Sequence, residues 1–184
     1  MTTQVKYKLG EREANGLCRV IALVEFSDVP VGDVGGYVEN ERNLAHTGDA
    51  WVSGDAQVFG NARVSGGARV SGNAWVYGNA RVSGNARVSG GARVSGNARV
   101  SGNAWVYGDA QVSVVCTATP KIITGLVYTL TITDEHLRAG CQVYTFQEWR
   151  NKTEREVLAM DGKAALVFYK ETLIPLMDAL KLGV

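Results

Sequence analysis

Residues 80–97, Ala80-Arg-Val-Ser-Gly-Asn-Ala-Arg-Val-Ser-Gly-Gly-Ala-Arg-Val-Ser-Gly-Asn97, repeat one six-residue unit three times. The same period extends from Ala50 to Val112, where eleven valines stand six residues apart and each follows an alanine by two positions. Residues two apart on a β-strand point to the same side, so alanine and valine are predicted to face inward and the residue between them outward. The Ser-Gly-Asn that follows is typical of a turn, because glycine tolerates positive φ and asparagine bonds locally. The period therefore predicts a β-solenoid.

Three such edges close a triangle, so one coil is predicted to take about 18 residues and to stack on the next at about 4.8 Å. A helix is excluded, because glycine at every sixth position would cost it about 1 kcal/mol each. A flexible linker is excluded as well, since it has no use for an unbroken inward column of alanine and valine. The fold class is therefore mainly β, a parallel β-helix.

The two ends of the repeat are less regular than its middle. Strict register places Leu44 at an alanine position and His46 at a valine position; alternatively, Val38 and Leu44 form hexads of their own, with a two-residue slip before Val52. Past Val112, the period assigns Cys116 to the alanine position and Ala118 to the valine position, and then Pro120 stops the pattern.

The period also divides the chain into three parts. Residues 1–33 are predicted to form a β-hairpin, with strands at 4–9 and 17–26, that caps the open end of the solenoid. Residues 34–119 are the β-helix, and residues 120–184 form an α+β module of strands followed by helices. Thr145 and Thr153 are predicted helix caps, Asp161 is predicted to cap a final helix of about 20 residues, and Pro175 is predicted to kink that helix.

Composition limits the classes of partner. The net charge of +1 gives no general polyanion signal, yet the hexads contain six arginines and no lysine or glutamate. No apolar run approaches the roughly 20 residues of a membrane span, and no signal-peptide h-region is present. Three cysteines without metal-ligand spacing indicate reduced thiols and no metal site. We therefore expect a cytoplasmic protein without a cofactor, a membrane partner or sequence-specific nucleic acid.

Particular stretches resemble a known family. The serial hexads resemble the hexapeptide-repeat, trimeric LpxA-like superfamily, which implies a left-handed β-helix and a homotrimer. The segments Arg19-Val-Ile-Ala-Leu-Val-Glu-Phe-Ser-Asp-Val29 and Gly35-Gly-Tyr-Val38 are similar to phage, prophage and enterobacterial proteins labelled hexapeptide-repeat or polymer-forming cytoskeletal proteins. The tail from Thr131 to Cys141, with Gln147-Glu-Trp149, resembles the C-terminal module of the phage members. A phage-encoded protein would act in the host cytoplasm.

The best-known enzymes of that superfamily are acyltransferases, in which a histidine is the general base. In this chain the hexads run without an inserted loop and contain no histidine. His46, with Asp49 as a possible orienting group, is the candidate base if the protein is an acyltransferase, and His136 is interpreted as structural. Catalysis is not favoured, because arginine, serine and asparagine do not supply a poised base.

The outward positions of the coils carry the candidate ligand-binding residues. With 18 residues per coil they fall on three faces: Trp51, Arg69, Arg87 and Trp105 on the first; Gln57, Trp75, Arg93 and Gln111 on the second; and Arg63, Arg81 and Arg99 on the third. One interpretation is structural, with the arginines pairing with terminal carboxylates or stacking on a neighbouring protomer. The other is an anion site, in which these arginines bind phosphate while Trp51, Trp75, Trp105, Tyr77 or Tyr107 stacks a base. The asparagine column beside them is interpreted as a structural turn ladder.

Three functions remain open from the sequence. The first is a non-catalytic homotrimeric binding protein, a phage accessory (counter-defence) factor that sequesters an anionic nucleotide-type ligand or blocks a host protein. The second is a structural scaffold or polymer-forming protein, and the third is a His46-dependent acyltransferase. Terminal modules at both ends argue against end-to-end polymerisation, because caps prevent it in solenoids.

Overall fold

The computed structural model describes residues 5–183, so the first residue of the strand predicted at 4–9 lies outside the described part. The chain forms two compact units, residues 1–120 and residues 121–184. Within the described residues, no helix is both long and apolar enough to span a bilayer.

The first unit is a β-solenoid built from two-residue strands that recur every six residues. From Trp51 to Val112 each strand consists of one outward residue and the inward valine that follows it, and the last strand has Cys116 in place of the valine. The strands are β4 (Trp51–Val52), β5 (Gln57–Val58), β6 (Arg63–Val64), β7 (Arg69–Val70), β8 (Trp75–Val76), β9 (Arg81–Val82), β10 (Arg87–Val88), β11 (Arg93–Val94), β12 (Arg99–Val100), β13 (Trp105–Val106), β14 (Gln111–Val112) and β15 (Val115–Cys116).

Strands 18 residues apart pair in parallel, as in the register of Val64 with Val82 and of Val82 with Val100. The coils therefore form three parallel sheets. The first face is β4-β7-β10-β13, the second contains β5-β8-β11-β14, and the third is β6-β9-β12-β15. The predicted coil length and the predicted division into three faces are confirmed.

The solenoid core is a column of small and β-branched side chains. Every alanine and valine of the hexads from Ala50 to Val112 is at most 1% exposed. At the corners, the glycine after each serine or tyrosine has a positive φ, and at Gly84 a Cβ atom would lie 2.9 Å from the backbone nitrogen of Gly102. Only glycine meets both requirements, which explains its regular spacing.

The first coil begins as the second of the two sequence alternatives describes. Val38 pairs with Val58 and Leu44 with Val64, both in parallel, so each precedes its partner by 20 residues. Two extra residues before Val52 account for the difference. His46 is therefore not at an inward valine position.

The assignment of Cys116 to an alanine position is wrong. In the structure Cys116 pairs with Val100 and therefore occupies the valine position, which the sequence assigned to Ala118. The reason lies in the corner after Val112, where Ser113-Val-Val-Cys116 lacks the usual glycine and asparagine of the turn. The chain consequently reaches the next edge two residues early.

The N-terminal strands extend the second face. β1 (Tyr7–Arg12) pairs antiparallel with β2 (Cys18–Ala22), and β2 pairs antiparallel with β3 (Val34–Val38). β3 then pairs in parallel with β5. Close approach explains the two glycines of β3, since a Cβ atom on Gly35 would lie 2.4 Å from a backbone oxygen of the first face. A 3₁₀ turn, Glu41–Asn43, follows.

The second unit is an antiparallel meander followed by helices. Its strands are β16 (Lys121–Ile123), β17 (Leu130–Ile132), β18 (His136–Ala139) and β19 (Gln142–Thr145), paired in that order. Its helices are α1 (Phe146–Arg150), α2 (Glu154–Phe168) and α3 (Ile174–Ala179), with a π-helical turn at Tyr169–Leu173.

The helix ends follow the sequence signals closely. Thr145 and Thr153 both cap helices as the sequence predicts, and each forms a capping box, with Glu148 and Glu156 respectively. Helix α2 is interrupted at Asp161 and Gly162, which leave helical φ/ψ, so the break falls at the residue that the sequence predicts to cap the final helix. Pro175 lies in the first turn of α3, where its missing N–H costs no hydrogen bond.

One charged side chain is buried beneath the N-terminal strands. Lys6 is 4% exposed, and its Nζ donates hydrogen bonds to the carbonyl oxygens of Ala50 at 2.7 Å and Gly48 at 3.0 Å. It also lies 4.5 Å from the centre of the Phe26 ring. Desolvation lowers the pKa of Lys6 to about 8, although Asp49 opposes the shift.

This burial predicts a rise in stability with alkaline pH. Below pH 8, Lys6 is charged in both the folded and the unfolded state. Its contribution to the free energy of unfolding therefore does not change with pH in that range. Between its folded pKa of about 8 and its ordinary value of 10.5, the unfolded chain binds more protons. The free energy of unfolding should therefore increase with pH by up to about 1.4 kcal/mol per unit. Burial also raises the pKa of Tyr7, which reverses the trend above about pH 10.

The measurement is denaturant unfolding at several pH values from about 7.5 to 9.5. The Lys6→Met variant keeps an apolar stem of similar length and serves as the matched control. Its free energy of unfolding should lack the rise that the parent protein shows. An equal pH slope in both proteins would contradict the buried, desolvated lysine.

Candidate functional site

The third face carries a ladder of three arginines. Arg63, Arg81 and Arg99 are aligned in register on neighbouring parallel strands, one rung per coil, and all three side chains are exposed. The stacking of β-strands places successive rungs about 4.8 Å apart. We call these three residues the arginine ladder.

A ladder of asparagines borders the arginine ladder at the preceding corner. The side-chain amide of Asn61 donates to Asn79 at 3.3 Å, and that of Asn79 donates to Asn97 at 3.2 Å. The turn ladder that the sequence predicts is present here. Together with Asn40 and Arg42, the two ladders line a groove of about 570 Å³, which we call the ladder groove.

The ladder groove is positively charged and has no acidic lining residue among those that define it. The aspartates of the hexads lie at the corners before the other two faces: Asp49, Asp55 and Asp109. In the part of the chain that the structure describes, the ion pairs include neither Arg42 nor any rung of the arginine ladder. An adjoining groove of about 440 Å³ is shared with Arg63 and Arg81 and includes the carboxylate of Glu41.

The first face is different, because its arginines and tryptophans are partly used in the fold. Trp51 is 2% exposed and packs edge-on against Phe26 at 5.4 Å, so it presents no open ring face for a ligand. Arg69 forms an ion pair with Asp28. A hydrogen bond from the backbone of Asp28 to its own carboxylate and the charge of Arg69 lower the pKa of that carboxyl. Arg87 is exposed and aligned with Arg69.

At the end of the first face, Trp105 remains accessible. It is 49% exposed, its Nε1 donates to Ser89 at 3.2 Å, and its ring lies 5.6 Å from that of Tyr107, which is 46% exposed. A groove of about 560 Å³ along this face contains Arg69, Arg87 and Trp105, but also the carboxylates of Asp28 and Asp49.

The second face holds an aromatic cluster. Tyr77 stacks on Phe59 at 5.2 Å between ring centres, and Trp75 lies edge-on to Phe59 at 6.2 Å. The guanidinium of Arg93 lies 5.2 Å from the centre of the Trp75 ring, in cation–π contact. Arg93 is thus paired with an aromatic ring of its own chain, whereas the structural interpretation of the sequence expects stacking on a neighbouring protomer.

The structure therefore separates the candidate residues into three places instead of one site. Among residues 5–183, only the third face brings together arginines without an ion-pair or ring partner, and its ladder carries no aromatic residue. The sequence missed Arg42 and Asn40 as groove residues. The alternative register, in which the first coil starts at Val38, could have predicted them, because it places Asn40 and Arg42 one coil before the arginine ladder.

His46 is built into the fold. Its ring stacks on Tyr7 at 4.2 Å, and its Nδ1 accepts a hydrogen bond from the backbone N–H of Lys6 at 3.3 Å. A neutral imidazole that accepts at Nδ1 carries its proton on Nε2, which leaves no lone pair for a base. Asp49, the predicted orienting group, lines the groove of the first face instead. No cluster of potential metal ligands occurs among the residues described.

Three segments within the coils match the family model of the YdcK beta solenoid repeat: residues 56–72, 80–96 and 92–108. The chain is a β-solenoid repeat protein. The matched segments lie inside the hexads and include neither terminal segment, so the match identifies the repeat and no ligand. Comparison with curated proteins gives no significant match.

Proposed function

We propose that this protein is a non-catalytic binding protein that holds a phosphate-bearing ligand in the ladder groove. The observation that carries the proposal is the register of Arg63, Arg81 and Arg99, which repeats an exposed guanidinium on three successive coils. None of the three is paired with a carboxylate of the described residues. Arginine is suited to this role because its planar fork matches the oxygens of phosphate.

Electrostatics favours an anionic occupant. Two unit charges about 4.8 Å apart repel by about 0.9 kcal/mol in water and by about 3.5 kcal/mol at an effective dielectric constant of 20. The free protein carries this repulsion between successive rungs, and an anion lying between them removes it. A ligand with several phosphates gains more than a single phosphate, since three rungs span roughly 10 Å.

The asparagine ladder supports the same ligand class. Its terminal amides supply neutral donors beside the arginines, which suits oxygen acceptors along the groove. The ladder groove contains no aromatic ring, so the proposed contacts are to phosphate rather than to a base. The phage accessory role, sequestering a nucleotide-type signal or blocking a host protein, rests on the resemblance alone.

The acyltransferase alternative has less support. His46 is half-buried, stacked on Tyr7, and its Nδ1 is engaged by backbone. His136 belongs to the second unit, on β18. His46 lines a groove together with Arg63 and Arg81, but its Nδ1 lone pair already accepts a backbone hydrogen bond, so it does not offer a free general base there.

The arginine ladder gives a sharp test with a matched control. Arg81→Gln removes the middle rung, whereas Arg87→Gln removes an arginine from the same hexapeptide on the first face. Titration calorimetry with inorganic tripolyphosphate should show a loss of affinity of about tenfold or more for Arg81→Gln. Arg87→Gln should bind within about twofold of the parent protein. Both variants lose one surface charge, so general attraction of the anion changes equally.

Two results would contradict the proposal. The first is an equal loss of tripolyphosphate affinity in both variants, which would indicate unspecific attraction. The second is binding by the parent protein that survives when all three rungs are changed to glutamine.

The proposal includes a homotrimer of left-handed coils with parallel axes. It is supported by the resemblance and by Trp75 and Trp105, which are 38% and 49% exposed and would otherwise remain in water. Light scattering at micromolar concentration should give three times the chain mass of 19.7 kDa. A mass equal to one chain would contradict the trimer but leave the ladder groove intact.

A further inference from the structure

A separate cavity lies within the second unit, residues 121–184. It has a volume of about 250 Å³ and is bounded by the sheet at Ala139, by α1 at Trp149 and by α2 at Val157 and Phe168. This volume is slightly below the range of about 300–1,000 Å³ typical of small-molecule sites. The cavity is large enough for a ring system with a short chain.

The local structure explains why this space is not filled. Ala139 and Ala165 present only methyl groups to the cavity, one from β18 and one from α2. Between the two halves of α2, Asp161 and Gly162 depart from helical geometry, with φ values of −155° and 62°. The interruption redirects the helix at the cavity instead of letting it pack straight across the sheet.

The charged group at the cavity is a carboxylate that accepts a hydrogen bond from a tyrosine. The hydroxyl of Tyr128 donates a hydrogen bond to Asp161 Oδ2 at 2.6 Å, and its ring lies edge-on to Phe168 at 5.0 Å. That hydrogen bond raises the pKa of Tyr128. The residues that line the cavity include no lysine or arginine, so Asp161 is the charged group there.

We propose that this cavity is a binding site for a small aromatic or aliphatic molecule that carries a positively charged amine. The apolar part would occupy the space between the sheet and α2. The ammonium group would lie at the Asp161 carboxylate, which accepts hydrogen bonds and is already oriented by Tyr128. The ligand class follows from charge complementarity, because the mainly apolar lining includes a single charged group, the exposed carboxylate of Asp161.

This site is independent of the ladder groove. It belongs to the other unit of the chain, its polar group is a carboxylate instead of arginines, and its walls are apolar. Failure of one proposal therefore leaves the other standing.

Cys141 provides a reporter for occupancy of the cavity. It lines the cavity and is exposed, whereas Cys18 and Cys116 are buried. We suggest measuring alkylation of Cys141 by iodoacetamide, followed by mass spectrometry, with tryptamine as the probe. Indole-3-propionate is the matched control, because it has the same ring system and the opposite charge. Tryptamine at about 1 mM should slow alkylation of Cys141 at least about fivefold, while indole-3-propionate should not.

Two variants complete the experiment. Asp161→Asn keeps an oxygen acceptor for Tyr128 but removes the charge, so it should weaken tryptamine binding about fivefold and abolish the preference over indole-3-propionate. Ala165→Leu should fill the cavity and abolish protection of Cys141 by tryptamine. The proposal would be overturned if tryptamine gave no protection, if both probes protected equally in the parent protein, or if Asp161→Asn kept the preference.

Discussion

Parallel hydrogen bonding between successive coils is the interaction on which the rest of the solenoid depends. The backbone N–H of Arg81 donates to the carbonyl of Ala98 at 2.9 Å, and the N–H of Ser83 donates to Val100 at 2.9 Å. Equivalent bonds recur at each edge and fix an offset of 18 residues. The inward alanines and valines are thereby stacked into a dry core, and each outward residue is placed directly over its counterpart one coil away. A residue that recurs every 18 positions consequently forms a column of stacked side chains on one face.

The three faces differ in which residues lie between their stacked arginines, and therefore in whether the arginine charges are paired. The second face alternates Trp75 with Arg93, so a cation lies against an aromatic ring and like charges are kept apart. The first face tethers Arg69 to Asp28 and ends at Trp105. The third face has no such interruption over three coils. Its corner carries an asparagine on each coil, whereas the other two corners mix asparagine and glycine and carry an aspartate at one or both ends. Because a structural ladder would be more stable with alternating charge, the third face is the part of the solenoid where we propose that a ligand binds.

The sequence predicts the parts of the structure that follow from local chemistry. The hexad period gives the coil length and the three faces, and the Thr-x-x-Glu patterns give the helix starts at Thr145 and Thr153. The sequence does not predict contacts between residues that are far apart in the chain. The burial of Trp51 depends on Phe26 from another segment, and the contact of His46 with Tyr7 depends on how β1 returns to the coils. The cavity of the second unit likewise depends on how an interrupted helix packs on a sheet, which no period encodes.

The most direct test of the account is the position of bound oxyanions in crystals of the protein. Selenate resembles a phosphate group in shape and charge and is visible by its anomalous scattering. The account predicts anomalous peaks between successive guanidinium groups of Arg63, Arg81 and Arg99 on the third face. Peaks beside Arg87 on the first face, with none along the third, would contradict it.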